Sequence, residues 1–528
     1  MAKKIRLIHI GEQEITNVEQ LSSSFQYNWL PADYNFQVDE QEVELFVEGE
    51  FNKKFTRAIF ILGPNAGILT YNSELLVKLP AYQILYDNNV KVSSEVEKIL
   101  SLKEAIAVET KEMSQVFQFI NQQFSVRQSG YKLSNDHIKV HSNFDGVVQK
   151  CGNSYIELEG NFPQQFMQIV SWKMTNLIKA DERMEFYSEL AVLSGEVELL
   201  FKIFLVKENT SEVVQVTEVP LEKLQRKEKI IFEQPVNTYI NVSLYARGKK
   251  GKIQISQVHI RKALADKSAM IPGGNRIVDE EHLSGEVFYY FNAGDLKPPL
   301  AIYFSGYRPA EGFEGRRMMS SMGGGPFMLI ADPRLEGGNF YLGSEKFEQK
   351  IVSVILDKLK LLGFKNSDLI LSGLSMGTFG ALYYASDLKP NSVIIGKPLA
   401  NIGTIALNER VLRPNGFPTS LDMLYYNTGE SSIESAERLN KKFWDKFATG
   451  DYSNTTFAVA YMKQDDYDKE AFPQLFSVLK ENRSTARVLY KGLVGRHNDN
   501  STGINKWFLK QFRNILFNSF QRIMDDFE

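Results

Sequence analysis

The run Asp368-Leu-Ile-Leu-Ser-Gly-Leu-Ser375-Met-Gly-Thr-Phe-Gly-Ala-Leu-Tyr-Tyr-Ala-Ser386 constrains the fold more than any other stretch. Leu369 to Leu371 read as a buried strand, and Thr378 to Ser386 carry Ala381, Leu382 and Ala385 at helical spacing. Between them lies Gly373-Leu-Ser375-Met-Gly377. Strand, G-x-S-x-G and helix in succession form the setting of a nucleophile elbow. Side chains at 373 and 377 would collide with the strand or the helix at so sharp a corner, so glycine is required there. Ser375 is then lifted out of the sheet at a helix N-terminus, where the dipole favours developing negative charge.

In such a fold the triad follows in the order Ser, acid, His. Of six histidines (His9, His137, His141, His259, His282 and His497) one follows Ser375. His497 lies in Gly495-Arg-His497-Asn-Asp499, after the last expected strand and before the final helix, and is the candidate base. The acid is expected in the loop Met462-Lys-Gln-Asp465-Asp466-Tyr-Asp468, on Asp465 or Asp466, with Asp465 the first choice. An oxyanion hole calls for the backbone N–H of Met376 and one from the loop Ser305-Gly306-Tyr307-Arg308, that of Gly306 or Tyr307. His137 and His141 read as ordinary strand or turn residues, and Gly323-Gly-Gly325 as a turn ahead of a strand.

The rest of the third segment, 266–528, fits the same expectation. Leu300–Phe304, Phe327–Ala331, Val393–Ile395, Thr455–Tyr461 and Val488–Tyr490 read as strands. Ser344 and Gly363 bracket an amphipathic helix, another runs through Phe443 to Phe447, and a last one spans Asn505 to Gln521. The alternation predicts an α/β-hydrolase domain.

Residues 1–125 are predicted to form a small α/β domain with a parallel sheet. Ile5–Ile10, Ala58–Leu62, Tyr82–Leu85 and Ala105–Val108 are short apolar runs, and Glu112–Phe124 has helical spacing. Gly63-Pro-Asn-Ala-Gly67 lacks the Walker Lys-Ser/Thr and reads as a turn. Residues 126–265 carry about seven short strands and no clear helix, which predicts a jelly-roll-like β-sandwich of the carbohydrate-binding kind. In that reading Arg247-Gly-Lys-Lys-Gly-Lys252 is a turn joining strands Tyr239–Ala246 and Ile253–Ile260, and Arg226-Lys-Glu-Lys229 is another solvated turn. Trp172 and Tyr187 suit a core better than a sugar platform.

A length of 528 residues accommodates about three domains. The net charge of −3 gives no general attraction to nucleic acid, so no nucleic-acid partner is expected. The one cysteine, Cys151, excludes an internal disulfide and a cysteine-rich zinc site, and it reads as a half-buried strand residue. No metal and no tightly bound cofactor are expected. The N-terminal apolar run is too short for a signal peptide, and no stretch matches a membrane span, so a cytoplasmic location is expected.

With the elbow, the Ser-Gly-Tyr-Arg loop, Gln-Asp-Asp-Tyr-Asp and Gly-Arg-His-Asn in view, the chain resembles the second accessory secretory protein family of the accessory Sec system of Gram-positive cocci. The likeness covers the whole length, and Gly-Leu-Ser-Met-Gly-Thr-Phe-Gly is its most specific part. The resemblance implies an O-acetyltransferase acting on N-acetylglucosamine of serine-rich-repeat adhesins, with a second role in adhesin export. It places the nucleophile on Ser375, the base on His497 and the acid on the Asp465/Asp466 pair. It implies sister accessory proteins, the accessory motor ATPase and the glycosylated adhesin as partners, and a peripheral association with the membrane translocon at the inner face of the membrane. Spacing alone gives a serine acyl-enzyme and leaves donor and acceptor open. A carbohydrate esterase and a non-catalytic scaffold of the secretion complex are the competing readings.

Overall fold

The computed structural model describes residues 4–34, 36, 43–124, 128–226, 228–411, 417, 419–481 and 485–522. The chain is a mixed α/β protein built on three large sheets. The expected boundary at 125/126 lies outside the described residues.

The first sheet is parallel throughout, in the order Phe25–Pro31, Ile5–Gly11, Ile59–Leu62, Ile84–Asp87 and Ile106–Val108. Four of these strands coincide with the apolar runs. The edge strand Phe25–Pro31 escapes sequence reading because its exposed Gln26 and Trp29 interrupt the apolar pattern. Helices Ser94–Leu102 and Met113–Phe124 cover it, the second burying Val116, Phe117 and Ile120 as its spacing requires.

The second sheet has ten strands around one apolar core. Two very long strands, Met184–Lys207 and Thr238–Lys262, pair with each other along their lengths. This corrects the expected turn at Arg247–Lys252, which is continuous strand. The glycines that suggested a turn instead permit close approach at bulges: a Cβ on Gly248 would lie 2.2 Å from the Glu196 carbonyl, and one on Gly195 2.3 Å from that of Lys250. Glutamates balance the basic run across the ladder, with Arg247–Glu198 at 2.7 Å, Lys249–Glu196 at 3.0 Å and Lys252–Glu157 at 2.7 Å. The second basic run is also more than a solvated turn. Lys229 donates through Nζ to the carbonyls of Leu264, Asp266 and Ser268, while Lys227 lies outside the described residues. Trp172, Tyr187 and Cys151 are buried.

The third sheet positions the site. Its eight strands run in the order Gly274–Asp279, Gly285–Asn292, Phe327–Ala331, Leu300–Phe304, Leu369–Leu374, Ser392–Gly396, Thr456–Met462 and Arg487–Leu493. Numbered along the chain, that is 1-2-4-3-5-6-7-8. Gly285–Asn292 pairs antiparallel with both neighbours, and the six strands beyond it are parallel. The central strands are buried on both faces, which explains their unbroken apolar runs. Helix Glu345–Leu362 packs one face; Ser344 caps its start by accepting from the Phe347 amide, and Gly363, at φ +74°, ends it. Helix Ser501–Phe520 packs the opposite face through Phe508, Phe512, Ile515 and Leu516. Among the described residues no helix is long and apolar enough to cross a membrane.

Candidate active site

The site lies at the C-terminal ends of the parallel strands. Ser375 follows Leu369–Leu374 directly and holds φ +52°, ψ −122°, a conformation that non-glycine residues rarely adopt. The amide of Ser375 donates to the Gly396 carbonyl of the neighbouring strand's end at 2.9 Å, and the Ser375 carbonyl accepts from the Thr378 amide and hydroxyl. Both elbow glycines are enforced by contact. A Cβ on Gly373 would lie 2.3 Å from the Gly377 carbonyl oxygen, and one on Gly377 2.0 Å from that of Phe304. The helix begins at Met376, two residues earlier than the spacing suggested, and runs to Tyr383; a short second turn, Ala385–Leu388, follows.

The Ser375 hydroxyl lies 2.8 Å from Nε2 of His497, and Nδ1 of His497 lies 2.8 Å from Oδ2 of Asp465. His497 is 1 % exposed, and the ring of Tyr467 stands edge-on to it at 4.5 Å. Burial pushes the His497 pKa down; Asp465 opposes this, and the net shift is downward. Burial pushes the Asp465 carboxyl up, but the His497 ring and the amides of Tyr467 and Asp468 outweigh it, so Asp465 sits below the ordinary carboxylate value. With Asp465 ionised, Nδ1 is the protonated nitrogen and Nε2 is free to accept from the serine.

The two candidate acids therefore make different contacts. Asp465 holds the imidazole; Asp466 accepts from the backbone N–H of His497 at 2.9 Å and so fixes the loop. Of the candidate oxyanion donors, Met376 opens its helix, and its N–H has no intrahelical acceptor. The N–H of Gly306 donates to Glu314 Oε2 at 2.9 Å. Tyr307 packs edge-on against Phe417, which meets Tyr467 in the same way, so aromatic rings link the 305–308 loop to His497.

Three groups beside Ser375 and His497 are not among the candidates that the sequence suggests. Asp468 accepts from the amides of Ala400 and Asn401 and fixes the loop beyond Ser392–Gly396. Lys397, in that loop, reaches Asn498 and Ser501; burial lowers its pKa, against the fields of Asp465 and Glu314. Glu314 is the third. Lys397 was findable, because it stands directly beyond the C-terminal end of a parallel strand, where such sheets bind ligands.

Residues 5–522 match the family model of the accessory Sec system GspB-transporter. The chain is 38 % identical to the accessory Sec system protein of Staphylococcus aureus, over 99 % of this chain and 98 % of that protein. It is 40 % identical to the counterpart in Streptococcus gordonii, over 75 % of this chain and 76 % of that protein. Among solved structures it resembles a chain of the Glycosylation Associate Protein (Gap123) complex from Streptococcus agalactiae, with a TM-score of 0.83 and 34 % identity over 99 % of this chain and 100 % of that one.

Proposed function

The chain belongs to the accessory Sec system GspB-transporter family, and we propose that within that system it is an O-acetyltransferase. Its target is N-acetylglucosamine on serine-rich-repeat adhesins, whose export it also assists from the cytoplasm. The observation that carries the catalytic part is the relay Ser375 Oγ, His497, Asp465, with both links at 2.8 Å. The strand order 1-2-4-3-5-6-7-8, with a serine at the corner after the fifth strand, supports an α/β-hydrolase domain at 266–528, beside a β-sandwich domain at 126–265 and an α/β domain at 1–125.

The chemistry follows from the contacts. His497 takes the Ser375 proton as Oγ attacks the acetyl carbonyl, and Asp465 stabilises the resulting imidazolium. Met376 N–H and one amide of the 305–307 loop meet the oxyanion. Collapse releases the donor's leaving group with the proton from His497. A sugar hydroxyl then gives its proton to His497 and attacks the acetyl-serine, which yields the acetylated glycan and free enzyme. The family's place in export, and a relative solved within a complex, support sister accessory proteins as partners, with the motor ATPase and the adhesin as further ones.

The test is to incubate the purified chain with p-nitrophenyl acetate and a peptide bearing N-acetylglucosamine, and to map acetyl groups by mass spectrometry. Acetyl on Ser375 and on the sugar supports the transferase. Acetyl on Ser375 with acetate alone as product indicates an esterase. No acetyl on Ser375 contradicts catalysis.

A further inference from the structure

One acidic side chain occupies the expected oxyanion loop without belonging to the triad. Glu314 sends Oε2 back along its own loop to accept the Gly306 N–H at 2.9 Å. A Cβ built on Gly306 would lie 3.3 Å from the Leu374 carbonyl and 3.6 Å from that same Oε2, so Gly306, which carries the carboxylate on its N–H, lies against the residue preceding Ser375. Glu314 is half-buried, and among the described residues the Gly306 amide is its one hydrogen-bond partner, with no ion pair.

Its surroundings are held far more firmly, and from outside the catalytic sheet. Glu311 is fully buried, held by His259 Nδ1 at 2.5 Å and Arg261 Nε at 3.1 Å from the long strand Thr238–Lys262. Gln128 clamps Phe313 by both backbone groups, at 2.8 and 2.9 Å. Upstream, Tyr341 donates to the Ser305 carbonyl at 2.5 Å, and the Arg308 amide donates to the Gly337 carbonyl at 3.0 Å. With the backbone held on both sides, rotation of the Glu314 side chain frees the Gly306 N–H without disturbing those contacts.

The chemical consequence is direct. Acyl transfer through Ser375 builds a negative charge where the oxyanion donors converge. A carboxylate seated on one of them both withdraws that donor and repels the new charge. We propose that Glu314 gates the oxyanion hole: in the resting chain it occupies the Gly306 N–H, and it must swing away before acyl transfer runs at full rate. The proposal rests on the reading of Ser375 as nucleophile. Lys397 lies within the field of the Glu314 carboxylate. A hole that opens only on displacement limits loss of acetyl to water, which a transferase needs and a hydrolase does not.

The test uses the full chain and a fluorophosphonate probe. Ser375 Oγ attacks phosphorus, fluoride leaves, the proton passes to His497, and the phosphoryl oxygen charges up in the oxyanion hole. The second-order labelling rate of Ser375 is compared in wild type, Glu314→Ala and Glu314→Gln, with p-nitrophenyl acetate hydrolysis alongside. Restoring one donor is expected to speed the Glu314→Ala variant by about 10- to 100-fold. Glu314→Gln keeps size and an acceptor but drops the charge, so it is expected to gain less, and it decides the matter if the alanine variant does not fold. Equal or slower labelling of a serine that does label contradicts the gate alone and makes Glu314 a brace for the loop. No labelling of Ser375 in any variant contradicts the nucleophile, and the gate with it.

Discussion

Asp465 and His497 meet through Oδ2 and Nδ1 at 2.8 Å, while the other oxygen of Asp465 accepts the amides of Tyr467 and Asp468. The carboxylate is thus fixed by its own loop before it orients the ring. Asp466, one residue on, accepts from the His497 amide. Asp465→Asn should lower the rate of Ser375 acylation by about 10⁴-fold, because an amide selects the wrong imidazole tautomer. Asp466→Asn keeps an acceptor for the amide and should cost roughly tenfold or less. Stopped-flow hydrolysis of p-nitrophenyl acetate compares the two; the reverse ranking would move the acid to Asp466.

The acid limb of the rate profile follows from His497. Only its neutral form accepts the serine proton, and burial moves its pKa below the ordinary value of about 6.5. The rate should therefore hold as pH falls through 6.5 and drop at lower pH. Asp465 raises that pKa, so the residual activity of Asp465→Asn should show its limb shifted further toward acid. A limb above 6.5 would show a base stabilised as the cation.

Gly377 and Gly429 separate crowding from backbone strain. A Cβ on Gly377 would lie 2.0 Å from the Phe304 carbonyl oxygen, at a residue without a left-handed φ, whereas Gly429 has φ +72° and open space around its missing Cβ. Gly377→Ala should lower stability by about 2 kcal/mol or more and disturb the elbow. Gly429→Ala should cost about 1 kcal/mol and leave Ser375 reactivity unchanged. Thermal unfolding with parallel active-site labelling measures both.

Arg261 is 1 % exposed and paired to Glu311 and Glu286, both also buried. Removing the guanidinium leaves Glu311 on His259 and Glu286 on the longer Arg276 contact at 3.6 Å, two buried carboxylates stripped of their shared cation, so Arg261→Ala should cost about 3–5 kcal/mol in urea unfolding. Because Glu311 anchors the 305–315 loop, Ser375 labelling should slow in the same variant while still folded. A loss below about 1 kcal/mol would mean that the network relaxes around the gap.

What sequence could show of this molecule follows from how local each signal is. The elbow is a contiguous pattern whose two glycines answer to contacts within a few residues or with the next strand, so Ser375 was visible at once. His497 followed from chain order, because no other histidine lies beyond the serine. The choice between Asp465 and Asp466 turns on side-chain direction within one turn, which spacing does not encode. Glu314 was invisible, since its partner is a backbone amide eight residues away with no residue-type signature. The long strand through Arg247–Lys252 misled for a related reason: its glycines answer to a partner strand some fifty residues distant, not to a local reversal. His259, Arg261 and Glu311 come together only when the second sheet meets the third.

The most direct measurement of the central claim is glycan mass spectrometry of the exported adhesin from cells carrying Ser375→Ala, with export quantified in parallel. The account predicts loss of acetyl groups from N-acetylglucosamine while export continues. Unchanged acetylation would contradict it and leave Ser375 a strained corner without a chemical role.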